Sequence, residues 1–136
     1  MKNLCVVLVS FLVFPVLADS AYAGEFGDLK MKATEARESL VTMLKNKDKR
    51  GPDQQKLVKD TADAVSAALA KMKAPAGKEG RFKEMVDAWN AFKQTRENEL
   101  VPAILAGKQE EADKIATGIQ RERLKKVFDA CDELDH

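Results

Sequence analysis

Between Phe82 and Gly107 the chain places Phe82, Met85, Trp89 and Phe92 at alternating steps of three and four. That spacing puts four large apolar side chains on one stripe of a helix, a face that must be buried against other helices. Trp89, the single tryptophan, sits in the middle of the stripe. Arg96 then occupies a stripe position where a further apolar residue is expected. Pro102 follows inside apolar sequence. It lacks a backbone donor and crowds the preceding turn, so the helix is expected to kink there and resume through Ala103, Ile104 and Leu105. Gly107 is the natural stop, and the short turn after it sends the next helix back antiparallel.

Three other segments carry the same period. A first helix is expected over about residues 25–48, with Phe26, Leu29, Ala33, Ala36, Leu40 and Met43 forming a regular three-four seam. Its length makes a weak homodimer through this seam an expectation. Positive charge from Lys45 to Arg50 suits the C-terminal end of the helix dipole, and Gly51-Pro52 ends the segment. A second helix, about 53–73, has Val58, Thr61, Val65, Ala68 and Met72 inside, with Leu57 and Leu69 widening the face. The loop Ala74-Pro75-Ala76-Gly77 follows. A fourth helix, about 109–134, turns Ala112, Ile115, Ala116 and Ile119 inward, then Leu124, Val127, Cys131 and Leu134. Gln120 and Arg123 interrupt that stripe, and nearby Gly118 costs roughly 1 kcal/mol relative to Ala in a helix interior. No stretch alternates like a strand. The predicted fold is all-α, an antiparallel up-down-up-down four-helix bundle.

Before the bundle lies the pattern of a secretory leader. Lys2 supplies the positive start, Leu4 to Leu17 an apolar core, and Ala21-Tyr22-Ala23 a small-x-small cleavage site. The core is about fourteen residues long, short of the roughly twenty that span a bilayer. Residues 1–23 therefore read as a cleaved signal peptide and 24–136 as one domain, soluble and periplasmic after cleavage, with no stable membrane anchor. Cys5 leaves with the leader, so Cys131 has no internal disulfide partner. It packs as a small apolar residue or, in an oxidising compartment, bridges two chains.

Charge is balanced, with 23 Lys and Arg against 22 Asp and Glu, and the two signs are interspersed. This is the pattern of solvated helix faces, not of a nucleic-acid footprint. The one histidine is the terminal residue, His136, so His-based triads and acid-base pairs are excluded. No Gly-rich phosphate loop, HExxH or paired Cys motif occurs. The chain reads as a binding protein and not an enzyme, with no catalytic residue, metal or cofactor called for; a structural or chaperone-like helical protein that docks on a partner through helix one is an alternative.

Two family resemblances bear on function. Trp89, Arg96, the run Leu100-Val101-Pro102-Ala103-Ile104-Leu105-Ala106-Gly107-Lys108, and Glu111-Ala112 resemble the periplasmic four-helix-bundle sensor domain of methyl-accepting chemotaxis proteins. The likeness covers Met85 to Gln120. It implies a ligand-binding bundle and a membrane sensor as partner. The chain departs from that family in having no second membrane span and no signalling coil. The segment AGKQEEAD together with Met31 also resembles cytochrome b562, which implies haem b held by Met31 and a histidine. An ungapped alignment puts Val127 at the histidine position, leaving His136 as the only substitute.

The polar interruptions are the candidate site. Counted from Gly107, Arg96 lies eleven residues back and Gln120 thirteen forward, at similar heights on antiparallel helices. Arg96, Gln120 and Arg123 are expected to face one space between helices three and four. Two guanidinium groups there would hold a small carboxylate or other anion. The alternative is that both arginines reach the surface or pair with Glu99 and Glu122.

Overall fold

A computed structural model describes residues 20–135 of the chain, with side chains from residue 24 onward. The leader expected over 1–23 lies outside the described residues apart from the backbone of 20–23, and His136 lies outside them too. The fold is all-α, an up-down bundle of four antiparallel arms. Helices α1 (Ser20–Lys45) and α2 (Pro52–Lys71) are the first two arms. The third arm joins α3 (Glu79–Thr95), a π-helical turn (Arg96–Leu100) and α4 (Val101–Leu105). The fourth joins α5 (Gln109–Thr117) and α6 (Ile119–Leu134). Packing is closest between α1 and α2 and between α3 and α6, with α1 lying more lightly against α6. Among the described residues no helix is long and apolar enough to cross a membrane.

The turns follow from their residues. Pro52 opens α2 at its first turn, where a missing donor costs nothing. Before it, Arg50 folds back over the end of α1. Its Nε and Nη2 donate to the Met43 and Leu44 carbonyls at 2.9 and 3.0 Å, and its Nη1 donates to the Ile104 carbonyl at 3.1 Å. The expected cation at the helix end thus ties α1 to α4, using Met43 and Leu44 carbonyls from the last turn of α1. Gly107 adopts φ +74°, and the Lys108 and Gly107 amides donate back to Ala103 and Ile104. This is the glycine-stopped helix end expected there.

At Pro102 the third arm continues without ending, α4 following directly on the π turn. Phe92, Arg96 and Leu100 are separated by two successive steps of four, which would drift about 80° off a 3.6-residue stripe in a regular helix. The π turn widens the helix over those residues, and the Val101 amide donates to the Arg96 carbonyl five residues back. All three side chains are consequently buried. The same widening lies where the proline ring would crowd the carbonyl four residues before it.

The fourth arm departs from the continuous helix expected over 109–134. Gly118 breaks it at φ −96°, ψ −108°, and a Cβ added there would lie 2.8 Å from the Lys114 carbonyl oxygen. The break resets the buried face. Ile119, expected inside, is exposed, and Gln120 takes the interior position. Leu57 is likewise exposed instead of widening the inner face of α2. The α1 seam from Phe26 to Met43 is wholly consumed inside the bundle. Its residues are therefore already covered by the chain's own arms.

Apolar packing falls into two clusters. One gathers Phe26, Leu29, Trp89, Phe92, Val127 and Leu134 with their neighbours; the other gathers Leu40, Met43, Val58, Leu100 and Ile104. Trp89 is fully buried, stacks at 5.2 Å from Phe92 in a tilted pair, and donates its indole N–H to Ser66 Oγ at 3.0 Å. Salt bridges Lys30–Asp132 and Arg81–Glu133 fasten the fourth arm to α1 and α3 at the same end of the bundle.

Candidate functional site

A polar layer separates the two apolar clusters, and each arm contributes to it. Ser39 from α1, Arg96 from the π turn and Gln120 from α6 are the buried polar residues, and half-buried Thr61 of α2 joins them. Ser39 Oγ and Thr61 Oγ1 share a hydrogen bond at 2.9 Å. Arg96, only 1% exposed, donates from Nη1 to the Ala36 carbonyl and from Nη2 to the Val58 carbonyl, both at 2.8 Å. A longer bond from Nη2 reaches Ser39 Oγ at 3.4 Å. No carboxylate pairs with Arg96 among the described residues. Burial pulls its pKa down to about 10, with Glu97 opposing. The group therefore remains a cation at neutral pH, solvated by backbone dipoles in place of water.

Gln120 and Arg123 work on the opposite side of the third arm. Gln120 Nε2 donates to the Phe92 carbonyl at 2.8 Å. Arg123 Nη1 donates to the Ala91 carbonyl at 3.1 Å and to Thr95 Oγ1. Arg96 and Arg123 thus do not face each other across one space. The π turn directs Arg96 toward α1 and α2, and Arg123 lies back against α3. Neither alternative partner, Glu99 or Glu122, is bonded to them. Every buried side-chain nitrogen and oxygen among the described residues has a hydrogen-bond partner.

The cavity lies elsewhere, in the looser seam between α1 and the α5–α6 arm. It encloses about 490 Å³ over an apolar floor that includes Leu40, Leu44, Phe92, Leu100, Leu124 and Phe128. Arg96 and Gln120 form part of its wall, whereas Arg123 does not. The π turn and the Gly118 break border it from two arms, so the two irregular helix segments sit where the seam opens. Five cations line it, namely Arg37, Lys45, Arg96, Arg121 and Lys125, against the single carboxylate of Asp129. Asp129 is already bonded to Lys125 at 2.5 Å. The side chains of Arg37, Lys45 and Arg121 carry no hydrogen bond or ion pair among the described residues, although the chain as a whole is nearly neutral. These rim cations were not legible as a site, because each stands on the polar face of its own helix. Only the packing of α1 against α6 makes them neighbours.

Of the two residues the haem alternative names, Met31 and His136, only Met31 lies within the described residues. Met31 is 60% exposed on the outer face of α1 and does not line the cavity. Cys131 is buried, with its Sγ 3.5 Å from Met85 Sδ, and burial raises its thiol pKa to about 11. It occupies the packing position of a small apolar residue and is not placed to bridge two chains. No family model, curated protein or solved structure matches the chain.

Proposed function

We propose that this chain is a ligand-binding bundle that holds an apolar organic anion in the cavity between α1 and the α5–α6 arm. The observation that carries this reading is the concentration of uncompensated cations around an apolar cavity of about 490 Å³. That volume lies within the range of small-molecule sites, roughly 300–1,000 Å³. Burying an apolar body there gains about 25 cal/mol per Å² removed from water. An anionic group on the same molecule meets cations that have no protein partner, and charge-assisted bonds to them fix its orientation.

The protein acts by binding and not by catalysis, and the reading calls for no cofactor. The resemblance to chemosensory domains favours the same function. A ligand seated in this seam touches the first and fourth arms together and alters how they pack, which a membrane sensor partner could read. The leader pattern in the sequence favours the periplasm as the place of that function.

Thermal denaturation with decanoate, and with decanol as its uncharged counterpart, tests the reading. Decanoate should raise Tm, because a ligand at about a hundredfold excess over Kd adds about 2.7 kcal/mol to stability. Decanol should raise it much less. Val41→Trp, a substitution at a half-buried residue of the cavity wall, should remove the decanoate effect while the helical spectrum is kept. A shift of equal size in folded Val41→Trp would place binding outside the cavity.

A further inference from the structure

We infer that the ligand is an elongated dianion, with two anionic groups carried at opposite ends of an apolar body. This rests on the cavity being a binding site and adds the class of molecule it takes. The argument comes from the register of the two walls. Lys30 Nζ meets Asp132 Oδ1 at 2.6 Å, which fixes α1 against α6 at one end of the seam. The helices run antiparallel, so each step up α1 is a step back along the fourth arm. Counted from that pair, Arg37 stands near the level of Lys125 and Val41 near that of Arg121, while Lys45 lies about two turns beyond Arg37 along α1.

Cations are therefore spread along the slot. Arg37 and Lys125 share one level, while Arg121 and Lys45 occupy the next two levels. At 1.5 Å per residue these levels are about 6 and 12 Å beyond the first. A single carboxylate at either end would leave the cations of the other end uncompensated. Between the ends the floor is Leu40, Leu44 and Leu124, which favours hydrocarbon laid against it, with the polar groups confined to the wall and rim. Two anionic ends separated by roughly 6–12 Å of hydrocarbon or ring match both features.

Calorimetric titration with aliphatic α,ω-dicarboxylates of increasing length, each beside the monocarboxylate of equal carbon number, tests the inference. The dicarboxylate should bind about fivefold tighter than its monocarboxylate, the gain available from one exposed charge pair at the upper end of its range. The advantage should peak at the chain length whose carboxylates span that distance. Arg37→Gln and Lys45→Gln, both at exposed unpaired residues that folding does not depend on, should each reduce the advantage to less than about twofold. Equal binding of both acids at every length overturns the dianion and leaves the cavity as a site for monoanions. An advantage that survives both substitutions also overturns it. If no acid of either series binds, the cavity reading itself fails.

Discussion

The Arg96 guanidinium donates to the Ala36 carbonyl at 2.8 Å, joining the π turn of the third arm to α1 within a layer that has no carboxylate. With Val58 accepting at the same distance, one side chain holds three arms at a common height. A buried cation solvated by two carbonyls and a hydroxyl, with no carboxylate beside it, is costly, and its lowered pKa expresses that cost. The folded state binds this proton less readily than the unfolded chain does, so the charge subtracts from stability at neutral pH. Its return is positional, since only one register of the arms lets Arg96 reach Ala36, Ser39 and Val58 together while Ser39 bonds Thr61.

Arg96→Ala should destabilise the ligand-free protein by about 3 kcal/mol, through the emptied volume and the lost bonds. Arg96→Met, which fills similar space without charge, should cost less than about 1.5 kcal/mol. Urea denaturation of both variants checks this. An Arg96→Ala protein as stable as the wild type would mean that the guanidinium is not anchored in the layer.

Trp89→Ala should cost about 3–5 kcal/mol, the range for large aromatic deletions from cores. Trp89→Phe should cost less, losing chiefly the hydrogen bond to Ser66 and part of the ring. Chemical denaturation is the measurement, and a loss below about 1 kcal/mol for Trp89→Ala would contradict full burial.

Gly118→Ala should reverse the usual effect of such a change. In a regular helix alanine gains roughly 1 kcal/mol over glycine. Here the new Cβ lies 2.8 Å from the Lys114 carbonyl oxygen, so the backbone must move. A loss of about 1–3 kcal/mol is expected, of the size seen when a side chain is forced into packed structure. A raised Tm would show that α5 and α6 form one continuous helix.

The bundle itself was legible because apolar period, Gly-Pro and Gly stops are local signals, and Trp89 and Gly107 sit where those signals put them. Arg96 and Gln120 were recognisable as interruptions of buried stripes. Their partners were not, because the direction of Arg96 depends on a π turn that spacing alone does not declare. Ile119 was misplaced for a related reason, since a break at Gly118 rotates everything after it. The rim of Arg37, Lys45 and Arg121 has no signal within any one helix. It exists only once two arms are packed side by side.

Cys131 should be unreactive toward Ellman's reagent at pH 8 in the folded protein, because the buried thiol ionises only near pH 11. Its raised pKa also means that stability is retained below about pH 9 and falls as pH rises toward 11. Unfolding in guanidinium should release one thiol per chain beyond residue 24. Rapid labelling of the native protein, or a covalent dimer on a non-reducing gel, would contradict this burial.

The most direct measurement is a nuclear magnetic resonance titration of the isotopically labelled protein with decanoate, followed at the backbone amides. Saturable shifts should centre on Leu40 and Leu44 of α1 and on Leu124 and Phe128 of α6, the walls of the cationic cavity. Val65 and Ala88, on the α2 and α3 side of the apolar core, should move little. Shifts confined to those residues, or none at saturating decanoate, would contradict an anion site between α1 and the fourth arm.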